Sequence, residues 1–145
     1  MNENLMLSTG MFEEAEKYWL NHLAGELMEP DFLSDYSRTG QYVKDNFTLS
    51  FEKQVANELI RISKNNNFLL NVILLTVFKI LVYKFTGQND IIVSSLVLKT
   101  SNQNFNKCIA LRDFLSPGMT FKDLLLEVKE TAADGYEYQY YPIRK

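Results

Sequence analysis

The chain has 145 residues, 46% of them hydrophobic and 23% charged, with a net charge of −3. That length holds one domain or part of one, and the apolar share excludes disorder of the whole chain. Eighteen acidic residues against fifteen basic ones do not suggest a nucleic-acid binder, where a basic face is required.

The charge is uneven along the chain. Residues 1–40 hold eight carboxylates against Lys17 and Arg38, and residues 41–145 carry a net +3. An acidic helix-plus-loop segment, 1–40, lying on a mildly basic α/β body, 41–145, accounts for this, as does chance unevenness. Cys108 is the only cysteine, so no intrachain disulfide can form. A lone thiol fits a reducing compartment, and Met1–Met6 lacks the basic stretch of a secretory signal, which points to the cytoplasm.

Residues 11–24 read as an amphipathic helix. Phe12, Ala15, Trp19 and Leu23 recur at helical spacing, with Glu13, Glu14, Glu16 and Lys17 opposite. Ser8 or Thr9 can cap it and Gly25 can end it. Residues 26–41, with Pro30, Asp31, Ser34, Asp35 and Gly40, read as a loop. Residues 42–49 read as a strand in which Asp45 spoils the apolar parity. Ser50 stands before a second helix, Phe51 to about Lys64, with Val55, Leu59 and Ile62 as its stripe.

The most apolar run follows, Phe68 to Phe85. Asn65–Asn67 supplies an N-cap and Gly87 a C-cap. At about 100° per residue, Asn71, Thr76 and Lys79 share one arc of roughly 140°. We expect that arc to face solvent and the apolar remainder to be buried. The run is long enough to cross a membrane, but Lys79 near mid-bilayer would cost about 2.5–3.5 kcal/mol, so we expect a core helix and no membrane partner.

Asp90–Leu98 reads as a strand buried on both faces, because its apolar run hardly alternates. Cys108–Leu111 reads as a second short strand, in which Cys108 is expected to be a buried, inert thiol. Thr120 caps a last helix with the stripe Phe121, Leu124, Leu125, Val128 and Ala132. The order α-β-α-α-β-β-α predicts an α/β fold: a small mixed sheet of about three strands with helices packed on it. Tyr136, Tyr138, Tyr140 and Tyr141 crowd the C-terminal tail. They read as candidate partner contacts, or as an extended stretch packing on structure beyond Lys145.

No complete catalytic motif is present. His22 is the only histidine, which rules out a His-pair metal site, and nothing in the sequence joins it to Cys108 as a nucleophilic pair. Thr86-Gly87-Gln88 is a lone glycine at a helix end, not a phosphate loop. No catalytic, metal-ligating or cofactor-binding residue is assigned.

Five segments nevertheless carry a resemblance. Lys84-Phe-Thr-Gly-Gln-Asn-Asp-Ile-Ile-Val-Ser94 resembles the Tyr-Thr-Gly-Gln-x-Asp-Ile-x-Val-Gly stretch of nonribosomal peptide synthetase condensation domains. Glu16-Lys-Tyr-Trp-Leu-Asn-His-Leu-Ala-Gly25 is similar to that family's Tyr-Trp-x-x-x-Leu-x-Gly helix. Phe105-Asn-Lys-Cys-Ile-Ala-Leu-Arg112 is similar to its Phe-Val-Asn-Thr-x-x-x-Arg strand. Thr120-Phe-Lys-Asp-Leu-Leu125 resembles its Thr-Phe-x-x-Leu-Leu helix. Tyr138-Gln-Tyr-Tyr-Pro-Ile143 resembles a worn His-Gln-Asp-x-Pro-Phe motif. The segments are in register over about residues 12 to 143.

The resemblance implies a partial chloramphenicol-acetyltransferase-like lobe, running from the end of the first lobe into the second. The family's His-His-x-x-x-Asp-Gly motif is absent. Ser94, Lys107, Cys108, Tyr138 and Tyr140 depart from the family pattern at positions near the acceptor side of its tunnel. The implied role is therefore a non-catalytic structural or docking platform for a neighbouring synthetase domain, such as adenylation. The alternative is one part of a split condensation enzyme whose partner chain supplies the missing histidines. Either role leaves apolar surface uncovered, so a bound neighbour or a homodimer is expected. No cofactor is implied.

Overall fold

The computed structural model describes residues 3–32, 44, 46, 48–98 and 106–143, with side chains from Gly10 onward. In chain order the elements are α1 (Glu3–His22), α2 (Lys53–Ile62), α3 (Asn67–Thr86), β1 (Asp90–Leu96), β2 (Cys108–Phe114) and α4 (Phe121–Glu137). The two strands pair antiparallel, with Ile92 opposite Arg112 and Leu96 opposite Cys108. Helix α3 packs on β1 and α4, and α4 packs on β2. This is the expected α/β class with a smaller sheet. The strand expected at 42–49 lies partly outside the described residues, and 44, 46, 48 and 49 form no strand.

The core is made where helix stripes meet the sheet. Val72 and Val82 of α3, Ile91 of β1, Ile109 and Leu111 of β2, and Leu124, Val128 and Ala132 of α4 are buried together with Ala15 and Trp19 of α1. The α4 stripe therefore matches its periodicity, except that Phe121 is exposed. Gly135 continues that stripe. A Cβ there would meet Leu111 Cδ2 at 2.7 Å, so the glycine lets α4 lie close against β2.

Caps mark the helix ends. Asn66 accepts the Leu69 N–H at the start of α3, and Gly87 ends it in the left-handed region at φ 71°. Thr120 and Asp123 form a reciprocal capping box on α4. At α2 the residue before the helix is Glu52 rather than Ser50, and no side chain caps it. Helix α1 begins eight residues earlier than its apolar period suggests.

The main reversal concerns α3. Thr76 and Lys79, expected on a solvent stripe, are both 0% exposed. Leu74, Val77, Phe78, Leu81 and Phe85, on the opposite side, are 40–66% exposed. Asn71, the third member of the arc, is exposed as expected, whereas Lys79 turns inward because β1 and β2 offer it partners. Lys79 Nζ donates to Leu111 O at 2.6 Å and Ile91 O at 3.2 Å, and lies 2.6 Å from Asp113 Oδ2. Thr76 Oγ1 donates to Val72 O at 2.7 Å within its own helix. By length and composition α3 could cross a membrane. Its central lysine is instead paired inside this α/β layer.

Three further expectations are corrected. Strand β1 is not buried on both faces: Ile91 alone is buried, while Ser94 and Leu96 are exposed, because a two-stranded sheet has little to cover it. Cys108 is exposed at the start of β2, not buried. The tail is not extended, since Tyr136 and Glu137 complete α4 and residues 138–141 turn back onto α1.

Candidate functional site

An open cleft of about 280 Å³ lined largely by polar side chains lies between α1, β2 and α4. Tyr18 and His22 come from one face of α1, four residues apart. Strand β2 supplies Arg112 and Asp113. Helix α4 supplies Glu127, Thr131 and Asp134 from one stripe.

Every charged group of β2 in this cleft is engaged. Arg112 makes a bidentate pair with Asp90, Nε to Oδ1 at 2.8 Å and Nη2 to Oδ2 at 2.6 Å. Its remaining donors reach Ala24 O at 2.6 Å and Glu26 O at 3.2 Å, just past the end of α1. The ring of Phe114 lies 4.9 Å from its guanidinium carbon. Asp113 accepts from Thr131 Oγ1 at 2.7 Å and faces Lys79 on its other oxygen. Burial pulls the Lys79 ammonium below its usual range, and the Asp113 carboxylate opposes that shift.

His22 points its ring at β2. Its Nε2 accepts the Arg112 N–H at 3.1 Å. Burial lowers its pKa, with Lys79 and Arg112 acting the same way and Asp113 opposing. The Tyr18 ring stacks on it at 5.1 Å. Burial and the carboxylates of Asp134 and Asp113 raise the Tyr18 phenol. No hydrogen bond among the described residues joins His22 to Cys108.

The tyrosines lie elsewhere. Tyr136 shares a 2.7 Å hydrogen bond with Ser95 of β1. Tyr138 packs on Tyr18, and its carbonyl accepts from Trp19 Nε1 at 2.9 Å. Tyr140 donates to Met11 O at 2.8 Å, and Tyr141 donates to Glu16 at 3.0 Å. Asn106 ties this turn to the start of β2 by donating to Gln139 O and Tyr141 O. Ser94, Lys107 and Cys108 are exposed along the strands. The structure therefore brings the tail to α1, while the departing positions on β1 and β2 stay at the surface.

Comparison with known proteins decides the ancestry. The Condensation domain family matches residues 2–145. This chain belongs to the condensation-domain family. It is 31% identical over 148 residues to gramicidin S synthase 2 of Brevibacillus brevis, covering 96% of this chain and 3% of that protein. Surfactin synthase subunit 1 of Bacillus subtilis (strain 168) is 33% identical over 146 residues, with 94% and 4% covered. Tyrocidine synthase 2 of Brevibacillus parabrevis is 30% identical over 140 residues, with 90% and 4% covered. This condensation-family chain thus spans only a few hundredths of the length of these relatives.

Lys79, Asp113 and His22 were not assigned a joint role from the sequence. A lysine at the centre of an apolar run was a signal that a partner charge is buried nearby. Arg112-Asp113 in the middle of β2 was the complementary one. Among the described residues no cluster of three or more His, Cys, Asp or Glu side chains could hold a metal ion.

Proposed function

We propose that this condensation-family chain serves as a non-catalytic packing and docking platform for a neighbouring synthetase domain, such as an adenylation domain, in the cytoplasm. The observation that carries the reading is the apolar outer face. Leu74, Val77, Phe78, Leu81 and Phe85 of α3 are exposed at i, i+3, i+4, i+7 and i+11, and α2 buries no residue at all. A stripe of that spacing is the pattern of a helix that packs against another element. Exposed apolar surface on this scale marks an interaction site.

The absence of catalysis is a separate part of the proposal. It rests on the missing His-His-x-x-x-Asp-Gly motif and on the engagement of His22 by the β2 backbone. The tyrosine tail adds little free contact surface in this reading, because Tyr140 and Tyr141 are already spent on α1.

Two assays test the parts independently. Purified chain is mixed with carrier-bound acyl donor and amine acceptor, and no amide forms. Amide formation by this chain alone overturns the non-catalytic reading. Titration with an adenylation domain from the same synthetase raises the thermal midpoint of the chain, whereas Leu81→Lys abolishes that rise. A midpoint unaffected by the domain, or a stable homodimer through the same face, overturns the docking reading.

A further inference from the structure

Among the described residues, the outer edge of β2 is met by a side chain rather than by a strand. In the antiparallel ladder, the Arg112 N–H points away from β1 and ends on His22 Nε2 at 3.1 Å. Ala110, two residues earlier, lies on the same edge. The Arg112 guanidinium then straps the residues that follow, donating to Ala24 O and Glu26 O. Residues 22–26 therefore lie along an edge that would otherwise present unpaired backbone groups.

We propose that His22 is an acid-released latch on this edge: the neutral imidazole closes it, and protonation opens it. The chemistry follows from donor counting. Nε2 accepts only when it carries no proton, and a protonated ring has two donors and no acceptor. Protonation would set its Nε2–H against the Arg112 N–H. It would also add a positive charge beside two others.

The charges around the ring act in both directions, and burial is the leading influence toward the neutral form. From α1 itself, Tyr18 stacks on the imidazole. Strand β2 contributes Arg112, which disfavours the cation, and Asp113, which favours it. Helix α3 contributes Lys79, which disfavours it. Asp90 of β1 is occupied by Arg112, and Asp113 by Lys79 and Thr131. From α4, Glu127, Glu130 and Asp134 line the same cleft. Burial is the largest influence and lowers the pKa. The sign follows. A folded-state value below the ordinary 6.5 means that the latch is fully closed above about pH 6.5 and is lost as pH falls through the folded value.

Amide hydrogen exchange of the 145-residue chain, read by NMR at Arg112 and corrected for intrinsic rates, tests the latch. Between about pH 7.5 and 5.0, the Arg112 protection factor falls roughly tenfold or more, while Val128 in the core of α4 keeps its protection. His22→Gln retains one donor and one acceptor without titrating, so its Arg112 protection stays flat with pH. Unchanged Arg112 protection in the wild type across that range overturns the proposal. So does a His22→Gln profile as steep as the wild type.

Discussion

The inner and outer sides of α3 behave oppositely. The inner side carries Thr76 and Lys79 and is fully buried, whereas the outer side carries Val77, Phe78 and Leu81 and is about half exposed. Hydrophobicity alone would place them the other way round. The inner polar groups are tolerated because each meets a partner: Lys79 meets two strand carbonyls and the Asp113 carboxylate. Unmade, those interactions would leave a buried charge at a cost of several kcal/mol. The outer side has no such constraint and no cover within the described residues. The comparison teaches that burial along α3 follows the partners each side chain meets and not hydrophobicity alone, with Lys79 paired inside and Phe78 exposed outside.

Breaking the seam should have the largest effect. Lys79→Met leaves Asp113 buried without its cation and is expected to cost about 3–5 kcal/mol in urea unfolding. The double variant Lys79→Met/Asp113→Leu removes both charges and should recover most of that loss. No recovery would show that the stranded Asp113 carboxylate is not what makes Lys79→Met costly.

Trp19→Ala comes next. Its ring is 3% exposed and its Nε1 holds the Tyr138 carbonyl, so it joins α1 to the tyrosine turn. A loss of about 3–5 kcal/mol is expected from truncation of a buried tryptophan, and Trp19→Phe should cost less. Near-UV circular dichroism and urea midpoints report both. If Trp19→Ala is no worse than a surface change, α1 does not belong to the core.

A smaller effect is expected at Thr120. It accepts the Asp123 N–H at 3.2 Å and donates to the Asp123 carboxylate at 2.6 Å. Thr120→Ala should destabilise α4 by about 1 kcal/mol. Asp123 itself is held below the usual carboxylate range by its hydrogen bonds to Thr120. Its contribution is therefore present above an unfolded value near 4 and lost as pH falls through the folded one. An acid titration followed by NMR should find Asp123 shifted down in the wild type and less so in Thr120→Ala.

The outer face should barely register in the chain alone. Leu81→Lys is expected to change stability by no more than about 0.5 kcal/mol, because Leu81 is 51% exposed. The same change should abolish association with a neighbouring domain. A stability loss as large as that of Lys79→Met would erase the distinction between the two sides.

Much of the fold was legible in the residues. Asn66, Gly87 and Thr120 cap where their chemistry indicates, and Leu124, Val128 and Ala132 face the core as their spacing indicates. Local chemistry suffices for those features. The orientation of α3 was not legible, because a polar arc reads as a solvent face unless its partners are known. Those partners, Ile91, Leu111 and Asp113, lie 12 or more residues away in sequence. The burial of Cys108 failed for a related reason. Periodicity indicates that a strand exists, not how many neighbours cover it, and β2 begins at the uncovered end of a two-stranded sheet. The His22 contact crosses 90 residues and involves backbone on one side, so side-chain pattern carried no trace of it.

Carbene footprinting of Leu74, Val77, Phe78, Leu81 and Phe85 tests the central claim most directly. It compares the 145-residue chain alone, as the native protein's isolated form, with the protein as it occurs in its own cells. The account predicts heavy labelling in the isolated chain and strong protection in the native protein, with Lys79 and Val128 unlabelled in both. Equal labelling of the five outer residues in the two samples would contradict a docking face.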